Sequence, residues 1–208
     1  MLLIGRPSLL TALVAVLLLA AEPAERKLPQ NLDATLRQLE KEIAEVRGLK
    51  FKAPVVARVI PRPKDAGKKV QGYYSLKDKA LYIYDDLAGN YERGVLIHEM
   101  VHALQDQHFG LKELHPADFG SDADLARAAL IEGDATFTMI EVLKKEQPRV
   151  AAMLDVPLEK AKDLRNGFLY AQGARYVKAL KERGGWEAVN RAYRFLPRST
   201  AAILHPEG

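Results

Sequence analysis

Two histidines four positions apart, set in an apolar helical stretch, constrain this chain more than any other feature. They are His98 and His102, in the run His98-Glu99-Met100-Val101-His102. Tyr91 to Leu104 reads as one helix, with Val95, Leu96, Val101 and Leu104 as apolar positions flanking the histidines. Helical positions four apart differ by about 40° around the axis and about 6 Å along it. Two imidazoles so placed can chelate one metal ion from a single face, and Glu99 projects beside them toward a coordinated water. Three protein ligands plus one open position is the arrangement of a catalytic zinc site. Because the pattern is short, its surroundings must supply the rest of the reading.

The chain has 208 residues, and residues 1–24 read as a leader. Arg6 is the lone charge before an apolar run from Leu9 to Ala21, and Pro23 and charged residues follow. This is the layout of a secretory signal peptide. Neither Ala21 nor Ala24 completes a clean A-x-A site, so the segment is expected either to be cleaved or to stay as an N-terminal anchor. The run is short for a transmembrane span. The expectation is an exported protein, periplasmic or extracellular, whose membrane contact is limited to an uncleaved leader. Residues 25–208 then form a single domain. There is no cysteine, which excludes thiolate ligands, a cysteine nucleophile, a lipid-modified cysteine and a disulfide framework. A domain of about 180 residues buries enough core to do without disulfides. The formal net charge is +4, scattered through Lys/Glu-rich stretches with no basic stripe carrying interleaved aromatics, so nucleic acid is not an expected partner.

Leucine and isoleucine at 32, 36, 39 and 43 predict an amphipathic helix over Asn31 to Arg47, ended by Gly48. Val55 to Ile60 is a β-branched run closed by Pro61-Arg62-Pro63 and reads as a strand. Gly72 to Ser75 and Ala80 to Tyr84 read as a hairpin turning at Leu76 to Lys79. Everything after Asp85 is helical in character. The histidine helix is expected from about Tyr91 to His108, then a loop through Pro116 and a long helix over Asp122 to Gln147. Shorter helices follow over roughly Leu158 to Leu164, Gly167 to Arg183 and Trp186 to Phe195. The fold class is α+β: a small antiparallel sheet or hairpin followed by a mostly helical domain.

Two residues compete to be the third ligand. His108 lies ten positions after His98, the spacing of H-E-x-x-H-x-x-G-x-x-H, in which a glycine breaks the helix so that the last histidine swings back. Position 105 here is glutamine, a good helix former. On a continuous helix His108 stands about 15 Å along the axis from His98 and points elsewhere. Glu132, in Ala128-Ala129-Leu130-Ile131-Glu132-Gly133-Asp134-Ala135, could instead come from a second helix packed on the first. Gly133 and Ala135 are small enough for close approach. Geometry therefore favours Glu132.

His98-Glu99-x-x-His102 followed by a glutamate on a later helix resembles the gluzincin zinc metallopeptidases, the group that includes thermolysin. The run His102-Ala103-Leu104-Gln105-Asp106 is similar to the stretch after the second histidine in thermolysin-like enzymes. Glu132-Gly133-Asp134-Ala135 resembles the third-ligand segment of many poorly characterised bacterial members. The tail from Gly184-Gly185-Trp186 to His205-Pro206 is similar to a recurrent ending among them. The resemblance covers about residues 80 to 206, and the two ligand motifs are its specific part. It implies a zincin-like fold, one zinc ion per chain held by His98, His102 and Glu132, and hydrolysis of a peptide or protein substrate. Two departures stand out: Thr136 occupies the position of an aspartate in thermolysin-like enzymes, and the motif with which aminopeptidases of the group anchor a substrate amine is absent.

In such a site Glu99 takes the proton from water and passes it to the leaving amine. A separate donor must stabilise the oxyanion. Tyr170, in Tyr170-Ala171-Gln172-Gly173, resembles the tyrosine that has this role in aminopeptidase-like gluzincins; the plain alternative is a tyrosine packed between helices. His205 is the second candidate, by resemblance to the distal histidine of thermolysin-like enzymes, and its plain alternative is an exposed tail residue. Asp106 lies on the histidine face and could orient a ligand imidazole, or be an ordinary surface aspartate. Asp134 points away from Glu132 and reads as structural. Arg127 and Arg175 could order the ligand carboxylate or the tyrosine, and His115 reads as a loop residue. Leu81 to Tyr84 is expected to be an edge strand that accepts an extended peptide. The competing function is a zinc-stabilised envelope binding or scaffold protein with a degraded active site, against which the intact Glu99 counts.

Overall fold

The structure is a computed structural model that describes residues 30–64, 72–87, 93–115, 119–155 and 163–206. The leader expected over residues 1–24, Tyr91 at the expected start of the histidine helix, and most of the helix expected over 158–164 lie outside the described residues.

Helix α1 (Gln30–Arg47) forms because its apolar side chains recur at helical spacing, and Leu32, Leu36, Leu39 and Ile43 are all buried. It ends at Gly48, whose φ is 72°. Its stripe packs against Val55, Ala57, Val59, Leu81 and Ile83 of the sheet region and against Leu96, Ile97, Met100 and Leu104 of the histidine helix.

The strands are β1 (Val56–Ile60), β2 (Gly72–Ser75) and β3 (Ala80–Tyr84). Strands β2 and β3 make the expected antiparallel hairpin, with Gly72 opposite Ile83 and Ser75 opposite Ala80. Strand β1 pairs with the other side of β3 in parallel, Val56 opposite Ala80. The order is β1-β3-β2, so the sheet is mixed where an antiparallel one was expected. Strand β3 is central, which also corrects the reading of Leu81 to Tyr84 as an edge. The cause is visible in its side chains. All five residues of β3 are buried: Leu81 and Ile83 face the helical core, while Ala80, Tyr82 and Tyr84 cluster with Ile60 and Tyr73 on the opposite face. A strand apolar on both faces belongs inside a sheet.

The helices that follow are α2 (Arg93–Phe109), α3 (Leu111–Leu114), α4 (Asp122–Leu143), α5 (Leu164–Asn166), α6 (Gly173–Arg194) and α7 (Thr200–Leu204). A π-helical segment, Gly167–Gln172, joins α5 to α6, and a 3₁₀ segment, Pro148–Asp155, follows α4. Helix α3 sits within the expected loop, and α4 stops at Leu143, short of Gln147. Ser121 and Asp124 form a capping box that starts α4. The expected break between Arg183 and Trp186 appears as a kink at Gly184–Gly185 inside α6. Among the described residues no helix is long and apolar enough to cross a membrane.

Helix α4 lies at the centre. A Cβ added at Gly133 would stand 2.2 Å from the carbonyl carbon of Gly173, and one at Gly173 would stand 2.1 Å from the Ala129 oxygen. The α4 and α6 backbones therefore touch directly. The residue after Gly133 makes a fully buried ion pair, in which Arg47 Nε and Nη2 donate to Asp134 Oδ1 and Oδ2 at 2.9 and 3.1 Å. Asp134 also accepts from Tyr193 Oη at 2.9 Å. Removing one partner of such a pair leaves an uncompensated buried charge. Asp134→Ala is expected to destabilise the fold by roughly 3–5 kcal/mol, read as the shift in the urea unfolding midpoint at constant slope; a loss below about 1 kcal/mol would show that the pair does not hold these helices together.

Candidate metal centre

Helix α2 carries His98 and His102 on one face, and α4 brings Glu132 against them. His98 Nε2 lies 3.1 Å from Glu132 Oε2 and 3.1 Å from His102 Nε2, and His102 Nε2 lies 3.5 Å from the same carboxylate oxygen. The three atoms form the one group among the described residues that could hold a metal ion. A tetrahedral site with bonds of about 2.0–2.1 Å has ligand–ligand edges of about 3.3 Å. The triangle matches that edge, with two imidazole nitrogens and one carboxylate oxygen as donors. His102 and Glu132 are buried and His98 nearly so. Ala135, small and buried, packs in one cluster with Met100 and Ala103 of α2 and lets α4 approach it, whereas Gly133 and Ala129 face α6.

His108 does not join them. With Gln105 in the helix α2 runs unbroken to Phe109, and His108 Nε2 meets the Lys50 carbonyl at 2.8 Å. The chain turns only at Gly110, whose φ of 71° suits glycine.

Three converging lone pairs repel unless a positive charge sits among them. Burial pulls the His102 imidazole toward neutrality, but the Glu132 carboxylate outweighs it, with Glu99 and Gln105 adding to the effect, and the pKa rises to about 9. Burial correspondingly pushes Glu132 up, yet His102 and then His98 hold it far below the usual carboxylate range. A proton and a metal cation thus compete for one position.

Glu99 is buried beside the histidines, and its Oε2 accepts from the Tyr74 backbone N–H at 3.0 Å. Strand β2 therefore runs past the carboxylate and fixes it. Tyr170 sits in the π-helical segment, its ring centroid 5.8 Å from that of His98. Burial, then the charges of Glu132 and Glu99, push its phenol well above the ordinary range, so it remains an O–H donor. His205 caps α7 through its backbone N–H to Ala201, is exposed, and makes no described contact with the cluster.

Asp106 has neither of the roles considered for it. It is buried, and accepts from Lys79 Nζ at 2.6 and 2.8 Å, Tyr74 Oη at 2.9 Å and the Leu111 N–H at 3.1 Å. It pins the hairpin and the end of α2. The partner of the His102 Nδ1 is Gln105 Oε1, at 2.9 Å. Sequence reasoning passed over Gln105, although it lies three residues after His102 on the same face. Arg127 pairs with Asp124, and Arg175 donates to Gln172 at 3.1 Å. The Thr136 hydroxyl is buried without a hydrogen-bond partner among the described residues.

Comparison with protein-family models, with curated proteins and with solved structures gave no match to this chain. The donor geometry is therefore the ground for a functional reading. Single alanine substitutions of His98, His102 and Glu132 are each expected to abolish stoichiometric zinc retention after gel filtration, measured by elemental analysis, while His108→Ala keeps about one zinc per chain. Loss of zinc from His108→Ala together with its retention by Glu132→Ala would refute this ligand set.

Proposed function

We propose that this protein is a zinc-dependent peptide-bond hydrolase of the gluzincin type, exported by its leader segment. The observation that carries the proposal is the triangle of His98, His102 and Glu132 with Glu99 beside it and Tyr170 against His98. Two nitrogens and one carboxylate oxygen are a donor set that catalytic zinc uses, with a further position left for water or substrate. Zinc held there would lower the pKa of water to about 7 and polarise a carbonyl.

The chain's own groups supply the rest. Glu99 accepts a proton at its carboxylate and returns it to the leaving amine, held in place by the Tyr74 N–H. The Tyr170 hydroxyl, kept protonated by burial and by two nearby carboxylates, donates to the developing oxyanion. Because β3 is interior, the strand that would align an extended substrate is β2, whose Tyr74 already touches Glu99.

The test is cleavage of a peptide library by the zinc-loaded protein. Glu99→Gln is expected to retain zinc and stability while losing about 10²- to 10⁴-fold in rate, since the amide cannot take a proton at neutral pH. A variant keeping more than about half of the wild-type rate would remove Glu99 from the chemistry. Zinc-loaded wild type that cleaves nothing would favour a zinc-stabilised binding protein.

Tyr170→Phe is expected to lower kcat by about 10²- to 10³-fold with little change in KM, zinc content or thermal stability. An unchanged kcat would leave Tyr170 as a packing residue.

A further inference from the structure

Gln105 stands between a metal ligand and the buried ion pair, and its contacts fix which way its amide faces. The Nε2 group lies 3.0 Å from the Ile131 carbonyl and 3.3 Å from Asp134 Oδ2. Both of those atoms can only accept, so both need the NH₂ end. The carbonyl end then faces His102 Nδ1 at 2.9 Å, and that nitrogen must carry the hydrogen. In the neutral imidazole that a metal ion requires, the consequence is a free lone pair on His102 Nε2, the atom that faces His98 and Glu132. A flipped amide would set Oε1 against the Asp134 carboxylate and aim an Nε2–H of His102 into the ligand cluster. Asp134 cannot turn to relieve this, because Arg47 holds both of its oxygens and Tyr193 donates to Oδ2.

We infer that Gln105 is a positioning residue which locks His102 in its metal-binding tautomer, with its own orientation set by the Arg47–Asp134 pair. The hydrogen bonds run in one sense, His102 donating to Gln105 and Gln105 donating to Asp134. Ile131 adjoins Glu132 in the chain, so the same amide also ties α2 to α4 next to the third ligand. This inference rests on the reading of His98, His102 and Glu132 as zinc ligands.

Two substitutions separate positioning from simple packing. Gln105→Met keeps the volume but offers no acceptor to Nδ1–H. Gln105→Glu keeps the acceptor but sets a second carboxylate against Asp134. Zinc affinity is measured by competition with a chromophoric chelator, and thermal unfolding is followed on the metal-free proteins. Gln105→Met is expected to bind zinc about 10- to 100-fold more weakly than wild type. Gln105→Glu is expected to stay within about threefold of wild type in affinity although it unfolds at a lower temperature than Gln105→Met. Affinities that fall in step with stability in both variants would overturn the inference, as would Gln105→Met binding within about twofold of wild type.

Should Gln105→Glu fail to fold, nitrogen-15 spectra of histidine-labelled, zinc-loaded protein decide the matter. The His102 Nδ1–H resonance is expected to be protected from solvent exchange in wild type and lost in Gln105→Met. Equal protection in the two would overturn the inference. Wild type that takes up no zinc would overturn both this inference and the functional reading beneath it.

Discussion

The carboxylate of Asp134 has no exposed surface, and the principal helices of the domain converge on it. Arg47 reaches it from α1, Gln105 from α2, Tyr193 from α6 and Thr138 from one turn further along α4 itself. Taking a carboxylate and a guanidinium out of water costs several kcal/mol per ion, recovered only where geometry and hydrogen bonding are both good. Here both are good on the aspartate side. On the arginine side Nη1 lacks a hydrogen bond among the described residues, and the guanidinium instead lies over the Trp186 ring, 4.4 Å from its centroid. Apolar packing by Leu36, Ile97 or Leu130 is non-directional and tolerates sliding. Donors that must all meet the same two oxygens do not, so the register of four helices is fixed at one point.

The donor cluster inherits that rigidity. His102 is three residues before Gln105 on α2, and Glu132 is two before Asp134 on α4, so the helices that carry these donors are locked within a turn of them. Within the cluster the Glu132 carboxylate and the His102 imidazole favour each other's charged form, which raises the one and depresses the other. Tyr170 is delivered differently. The π-helical segment leaves the Gly173 N–H reaching back to the carbonyls of both Phe168 and Tyr170, a local widening of a kind often found at functional sites.

Much of this was legible in the sequence wherever one local rule dominated. The four-residue spacing of His98 and His102, the helix-forming Gln105 and the small residues around Glu132 led to the donor set. Leucines at 32, 36 and 39 gave α1, and the Gly184-Gly185 pair marked the kink in α6. What failed depended on tertiary partners. Tyr82 and Tyr84 look like outward positions on a half-exposed strand until Tyr73 and Ile60 are known to cover them. The parallel arrival of β1 beside β3 leaves no trace in either segment. Gln105 and Asp106 both lie on the His102 face, and only Lys79, Tyr74 and Leu111 decide that the aspartate turns away. Asp134 read as structural, but nothing in its neighbours announced a partner 87 positions earlier.

The direct backbone contact between Gly133 and Gly173 gives the site a one-sided tolerance. Helices normally keep about 8–10 Å between axes because side chains intervene. At this crossing the stop is set by main-chain atoms, and no smaller residue exists with which to close the gap. The span between the Glu132 helix and the segment bearing Tyr170 already sits at its lower bound. Sequence drift at either glycine can only enlarge it, moving the segment that bears the phenol away from the Glu132 helix. The separation of these two groups is a quantity the protein can lose but cannot refine.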